Sequence, residues 1–316
     1  MDMLRCFCCG EFLPERTSYY HAKCAKRLFA SLDIPALNYT QKELNELARN
    51  TVLRRISVPG VQPKLSLHLE QRNSCSHSRL TLVGLEGDYI LKPQSSQWSF
   101  LPEAEHFCML LARKCGITTA EFGLVPLKSG ELAYITKRMD RNNGKRYHME
   151  DFCQILNKMT SQKYNGSMEQ VGKALREYSD AAGLDSIRFL ELAVFCFLTG
   201  NSDMHLKNFS LIRKENGQLE LSPAYDLVPV KVILPADTEE LALTLNGKKN
   251  RLKRSDFESL GMALKLTETQ ITRAIGRVVS AVENHFVSVL AISFLPDQMK
   301  VTIEQLVSNR LARMRA

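Results

Sequence analysis

The sequence predicts an α+β chain in two lobes, a β-rich one followed by a mainly helical one. Three patterns carry that prediction. Between Leu65 and Thr136 the apolar residues come in short alternating runs bounded by Gly and Pro turns, the period of strands, interrupted by one helical stretch. Beyond Lys137 the apolar spacing lengthens to that of amphipathic helices, over 167–182, 184–199, 253–264, 267–290 and 301–314. Finally, a polar stretch from Gly200 to Asp226 breaks into those helices with a second, smaller strand pattern. The implied division is 1–30 as a small Cys/His-containing segment, 31–137 as the β-rich lobe and 138–316 as the helical lobe.

Taken in order, the chain opens with Cys6-x2-Cys9 and, after a short span, His21-x2-Cys24. Three thiolates and an imidazole suit a tetrahedral structural zinc site. Cys8 is a further thiol outside that pattern, and the alternative reading is a small knob whose cysteines only pack. A helix is expected from Leu44 to Arg54. Next, Ser57 precedes Pro59-Gly60-Val61-Gln62-Pro63-Lys64, where a glycine and a lysine ahead of a strand suit a phosphate-covering loop, although two prolines remove donors. The alternating Leu65, Leu67 and Leu69 form the first strand and Leu80 to Val83 the second. After a turn at Glu86-Gly87-Asp88 comes a strand with one basic residue, Tyr89-Ile90-Leu91-Lys92-Pro93.

An inward-pointing Lys92 requires an anionic partner, whereas an outward one is only a strand-edge lysine. The helix predicted from Leu101 to Cys115 carries Glu103 and Glu105 in its first turn; either is a candidate partner, or a stabiliser of the helix N-terminus. Strands at Phe122 to Leu127 and Leu132 to Thr136 flank a Ser129-Gly130 turn and run into the connector Lys137-Arg138-Met139-Asp140.

The stretch Gly200 to Asp226 holds the chemistry. Asp203 and Asn208 repeat the D-x4-N spacing of a kinase catalytic loop, in which the carboxylate receives a hydroxyl proton and the amide binds magnesium. Phe209 to Arg213, an Asn216-Gly217 turn and Leu219 to Leu221 read as a hairpin that brings Asn208 and Asp226 together as metal ligands. Leu227-Val228 stands where protein kinases have Phe-Gly. A loop of Asn and Asp that merely caps a helix is the plainer reading of the same residues.

Composition sets the remaining bounds. The net charge of +8 suits anionic ligands or partners, and part of it lies in the run Lys248 to Arg254, expected as solvated surface rather than a nucleic-acid groove. No recognition-helix or stacking-aromatic signature accompanies it. Nine scattered cysteines fit a reducing cytoplasm better than a disulfide framework. Neither a signal peptide nor a membrane-spanning apolar run is expected.

Jointly, Ser57-x-x-Gly60-x-Gln62-x-Lys64, Ile90-Leu91-Lys92, Thr136-Lys137-Arg138-Met139-Asp140-Arg141, Asn201-x-Asp203-x-His205-x-Lys207-Asn208, Tyr225-Asp226 and Leu243 to Lys248 resemble HipA-family serine/threonine kinases. The resemblance implies a bilobal, protein-kinase-like fold and the toxin of a bacterial toxin–antitoxin system that phosphorylates a translation component, typically an aminoacyl-tRNA synthetase. It implies Asp203 as catalytic base, Asn208 and Asp226 as magnesium ligands, and Lys92 on the inner phosphates of ATP. Lys137, Arg138 and Met139 would line the adenine pocket. Pro59 to Lys64 would cover the phosphates, with His205, Leu206, Lys207 and Asn208 bordering them and Tyr225 beside Asp226. Ser57 would be the autophosphorylated serine. The segment ahead of Ser57 is too short for the subdomain that HipA toxins carry there. With its CFCCGE…YHAKC start, the chain is similar to the shortened HipT branch. That likeness implies a small HipS-like protein and a HipB-like helix-turn-helix antitoxin as partners, with DNA reached only through the antitoxin and no membrane. A non-catalytic nucleotide-binding scaffold of the same fold and a nucleic-acid-binding protein are the alternatives.

Overall fold

The computed structural model describes residues 4–14, 18–32, 34–53, 64–70, 78–83, 87–142 and 144–315. Ser57 and Pro59 to Pro63 lie outside those residues. The chain divides into two compact units, one of 1–107, 120–138 and 289–295, the other of 108–119, 139–288 and 296–316.

The first unit is built on an antiparallel sheet. Its strands are β1 (Leu65–Glu70), β2 (Arg79–Val83), β3 (Tyr89–Lys92), β4 (Phe122–Pro126) and β5 (Leu132–Lys137), in the order β2-β1-β3-β5-β4. The β1–β3 register sets Leu65 opposite Leu91 and Leu67 opposite Tyr89, all four buried, so the leucine alternation of β1 faces the core. Gly87 is required at the turn into β3: a Cβ there would stand 2.3 Å from the Leu67 carbonyl oxygen. Helices α1 (Ala22–Phe29) and α2 (Gln41–Leu53) precede the sheet, and α3 (Leu101–Lys114) follows β3. Leu101 to Ala112 are buried without a break, the polar Glu103, Glu105 and His106 included.

The N-terminal segment belongs to this unit. Its Phe7 carbonyl accepts from the Leu124 N–H at 2.8 Å, occupying backbone on the edge strand β4. The Tyr20 hydroxyl donates to the Leu124 carbonyl. Phe7 also packs edge-on against Phe294.

The second unit is mainly helical: α4 (Phe152–Ile155), α5 (Met168–Tyr178), α6 (Ala182–Thr199), α7 (Val230–Ile233), α8 (Arg254–Ala263), α9 (Glu268–Ile292) and α10 (Asp297–Arg315), with α9 ending in the first unit. A short hairpin, β6 (Arg141–Asn142) with β7 (Lys145–Arg146), precedes a three-stranded sheet. In that sheet β8 (Met149–Asp151) pairs with β9 (Ser210–Arg213), which pairs with β10 (Leu219–Leu221). The expected hairpin is therefore present, and β8 adds a strand that too few alternating residues announced. Helix α6 is the unit's centre, buried from Phe189 to Thr199. It stops at Gly200, whose φ of 76° favours glycine and where a Cβ would stand 2.5 Å from Leu306 Cδ2.

Helix α9 is long and apolar enough to cross a membrane by length and composition alone. Its buried residues Ile271, Ala274, Ile275, Val278, Val282 and Phe286 recur at helical spacing on one face, the pattern of a core helix. The basic run lies largely at the surface, as expected, with Lys248, Asn250, Arg251 and Lys253 exposed. Lys248 is paired with the buried Asp256 at 2.8 Å and Lys249 with Glu239 at 3.1 Å, Leu252 is buried, and Arg254 bonds Glu258 and the Met314 carbonyl. Acidic residues four to ten positions away pair with Lys248, Lys249 and Arg254.

Candidate active site

In the first unit, Lys92 ends β3 and points inward. Its Nζ donates to Glu105 Oε1 at 2.6 Å, with both side chains almost wholly buried, and stands 5.4 Å from the centre of the Tyr134 ring. Glu103 does not take that role. It accepts both of its bonds from Gln94 Nε2, at 3.0 and 2.9 Å. Burial pushes the Glu103 carboxyl up, partly offset by those bonds. The helical period explains the choice, since residues two apart lie on different faces of α3 and only Glu105 faces the lysine. Lys64 stands exposed just ahead of β1. Lys137 closes β5, its N–H bonded to the Glu121 carbonyl, and the Arg138 N–H bonds the Asp88 carbonyl. The boundary between the units falls between Arg138 and Met139.

In the second unit, the end of α6 delivers the loop that carries Asp203. Just past Gly200, buried Asn201 takes the Asp203 N–H on its Oδ1 at 3.1 Å. The Asp203 carbonyl accepts from the His205 N–H at 2.8 Å and from Asn208 Nδ2 at 3.0 Å. A single 3₁₀ turn, Leu206–Asn208, closes the loop. Asn208 is thus buried and oriented, its amide nitrogen committed to backbone and its Oδ1 left as an acceptor. Leu206 is core, packed where a Cβ on Gly166 would meet it.

Tyr164 was not legible as a site residue. Its hydroxyl donates to Asp203 Oδ1 at 2.5 Å, and its ring meets His205 edge-on at 5.1 Å. Burial, then the bond to Asp203, drives the phenol well above its ordinary range, so it remains a donor at neutral pH. Lys207 is ion-paired with Asp151 at 2.6 Å. Asp151 also caps α4, accepting from the Gln154 N–H; nothing in the sequence spacing signalled it.

The β9–β10 register, Leu211 opposite Leu221, brings the ends of the hairpin together. The Ser222 N–H reaches the Ser210 carbonyl at 2.9 Å, and the Tyr225 hydroxyl bonds both Ser210 Oγ, at 2.6 Å, and the Lys207 carbonyl, at 3.0 Å. Asp226 follows with φ of 59°, in the left-handed region that few non-glycine residues adopt. Leu227, next in sequence, is fully buried.

A β-rich unit with a buried Lys–Glu pair and a helical unit with an Asp-x4-Asn loop form a mixed α+β, kinase-like fold. The HipA of Shewanella oneidensis, solved with HipB and operator DNA, has the same fold: TM-score 0.67 at 24% identity, covering 83% of this chain and 65% of that one. The model of the HipA-like C-terminal domain matches residues 56–286, and the chain belongs to that family. Among curated relatives, the provisionally named kinase Y4dM of Sinorhizobium fredii is 34% identical over 229 residues, 68% of this chain and 55% of its own length. The serine/threonine-protein kinase toxin HipA of Shewanella oneidensis is 26% identical over 255 residues, 72% of this chain and 57% of that protein. The chain thus spans about half the length of the curated relatives it matches.

Proposed function

We propose that this chain is an ATP- and magnesium-dependent protein serine/threonine kinase, the HipT-like toxin of a bacterial toxin–antitoxin system. The buried Lys92–Glu105 pair carries the reading. A buried ion pair adds little stability, because desolvating two charges offsets their attraction. A protein that binds no nucleotide has no need of one, whereas a kinase needs an ammonium fixed for the inner phosphates; phosphate transfer is what separates a kinase from a nucleotide-binding scaffold.

In this reading Lys92 holds the α/β-phosphates, and the Lys137–Met139 connector lines the adenine pocket. Asp203 accepts the proton of the attacking serine hydroxyl as its oxygen bonds the γ-phosphorus. The β–γ bridging bond breaks and ADP leaves. Tyr164, donating to Asp203 Oδ1, would orient the carboxylate for that role. Asn208 Oδ1 and the Asp226 carboxylate would hold the magnesium; oxygen donors suit that ion, and its charge offsets that of the phosphates. The loop 59–64 would cover the phosphates, with Ser57 as the autophosphorylation site. Partners in this reading are a HipS-like protein and a HipB-like antitoxin, and the substrate is a translation component such as an aminoacyl-tRNA synthetase.

Transfer of label from γ-labelled ATP to lysate proteins and to the chain itself tests the proposal, with Asp203→Asn as control. Label that depends on Asp203 is expected. Absence of transfer in the presence of magnesium, from protein that binds ATP, would favour the scaffold.

A further inference from the structure

The kinase reading leaves the N-terminal cysteines unused, and their arrangement is specific. The ligand atoms of Cys6, Cys9, His21 and Cys24 all lie within 4.8 Å of one another. A tetrahedral zinc with bonds of about 2.3 Å to sulfur holds its sulfurs about 3.8 Å apart, so the four atoms already match that span. Cys9 Sγ and His21 Nδ1 are 3.3 Å apart.

The surroundings are those of metal ligands rather than of packed thiols. On its outer side, His21 Nε2 bonds the Phe12 carbonyl at 3.0 Å. That bond places the ring proton on Nε2 and turns the Nδ1 lone pair toward the sulfurs, the orientation that outer-sphere partners give a metal-bound histidine. The His21 N–H also points at the Cys6 sulfur at 3.4 Å. The turn is closed by a bond from the Gly10 N–H to the Cys6 carbonyl at 2.8 Å, and Gly10 has φ of 73°. Cys8 lies beside Cys24 but outside the four-atom set, its Sγ donating to the Phe122 carbonyl at 3.3 Å and accepting from Arg27 at 3.2 Å.

We propose that Cys6, Cys9, His21 and Cys24 bind one structural zinc ion, which fixes the N-terminal knuckle onto the sheet edge and onto helix α3. Three thiolates with one imidazole favour zinc over the hard cations. Binding releases the thiol protons to solvent, with no change in oxidation state. Two of the knuckle's outward contacts come from backbone between the first two ligands. The Phe7 carbonyl holds the Leu124 N–H on β4, and the Cys8 carbonyl holds the buried ring of His106 at 3.2 Å. His106 is the neighbour of Glu105, so the metal would brace the helix that presents the partner of Lys92.

The test is metal analysis of the full chain, expressed with added zinc, carried on a tag that binds no metal and never exposed to chelator. About one zinc per chain is expected, falling to trace in Cys9→Ser and His21→Gln and unchanged in Cys8→Ser. Because a ligand variant can simply unfold, the parent protein is also reconstituted with cobalt. A thiolate-to-cobalt charge-transfer band with tetrahedral ligand-field bands is expected. Metal removal should speed hydrogen exchange at the Leu124 amide, a readout independent of kinase activity. Zinc at trace level in the parent, a Cys–Cys disulfide by mass, iron in place of zinc, or equal zinc loss in Cys8→Ser would each overturn the assignment.

Discussion

Replacing Glu105 separates what the buried pair does for stability from what it does for chemistry. In Glu105→Ala the ammonium of Lys92, 2.6 Å from its partner and almost wholly buried, keeps its desolvation cost and loses its counter-charge. Breaking one side of such a pair costs about 3–5 kcal/mol. The Tyr134 ring, 5.4 Å from Nζ, offsets only part of this, since a desolvated cation–π contact contributes about 2 kcal/mol and is present before and after the change. Removing both charges, in Lys92→Met with Glu105→Leu, deletes the uncompensated ion and fills the space with apolar atoms. That double variant should regain most of the lost stability while remaining unable to transfer phosphate. Glu103→Gln is the control: its carboxyl meets Gln94 rather than Lys92, so stability should change little. Urea unfolding of the four proteins, followed by circular dichroism, measures the energies, and transfer from labelled ATP measures the chemistry. A Glu105→Ala loss below about 0.5 kcal/mol, the size of an ordinary surface change, would refute the reasoning. So would a double variant as unstable as the single one, or one that still phosphorylates.

Asp203→Asn should abolish transfer with the fold intact, checked by circular dichroism alongside the assay. Tyr164→Phe should lower kcat about tenfold, the worth of about 1.4 kcal/mol, with KM for ATP unchanged; an unaltered kcat would reduce Tyr164 to packing. Arg310 is buried, donates to the Phe197 carbonyl at the end of α6 and stacks over the Phe197 ring. Arg310→Met should therefore cost about 1.5–3 kcal/mol, the worth of a hydrogen bond from a charged group, with the Gly200 N–H remaining on that carbonyl; urea unfolding measures it. Burial alone would raise the Asp256 carboxyl, but bonds from Lys248, Asn246 and the Lys253 N–H outweigh it and hold the group below its ordinary 3.8. The stability it contributes is therefore complete above the unfolded value and lost as pH falls through the folded one. Asp256→Asn should flatten the acid limb of a stability–pH curve; an unchanged limb would remove Asp256 from the account.

The elements that a period can announce were legible in the sequence. Helices α5, α6, α8, α9 and α10 and the core strands lie where apolar spacing places them, because each buries one continuous face or is buried on all sides. The short pieces were not. Strands β6 to β8 have two or three residues each, too few to alternate, and β8 exists because β9 offers it a free edge. Around Asp203 the spacing of Asp, Asn and Asp was readable because one loop and one hairpin supply all three. The tertiary partners were not readable: Tyr164 lies 39 residues from Asp203 and Asp151 lies 56 from Lys207. The choice between Glu103 and Glu105 needed the rotation of α3, which a list of residues does not contain.

The conformation of Asp226 ties these observations together. A left-handed conformation costs an ordinary side chain about 1–2 kcal/mol and an aspartate less, and the surrounding chain holds Asp226 there. Two anchors lie immediately upstream, the bonds of the Tyr225 hydroxyl to Ser210 and to the Lys207 carbonyl, and the wholly buried Leu227 follows. Those anchors reach back to β9 and to the loop that orients Asn208. The strain at Asp226 is therefore supported by the elements that fix Asn208, which explains how two residues 18 apart in sequence can be presented by one rigid frame. Tyr225, fully committed to that bracing through its hydroxyl, acts on the carboxylate by holding its backbone. Phe-Gly after the aspartate gives an ordinary kinase a mobile switch at this point. Here a buried leucine and a tyrosine clamp occupy the flanks, and both hold the backbone of Asp226 in place.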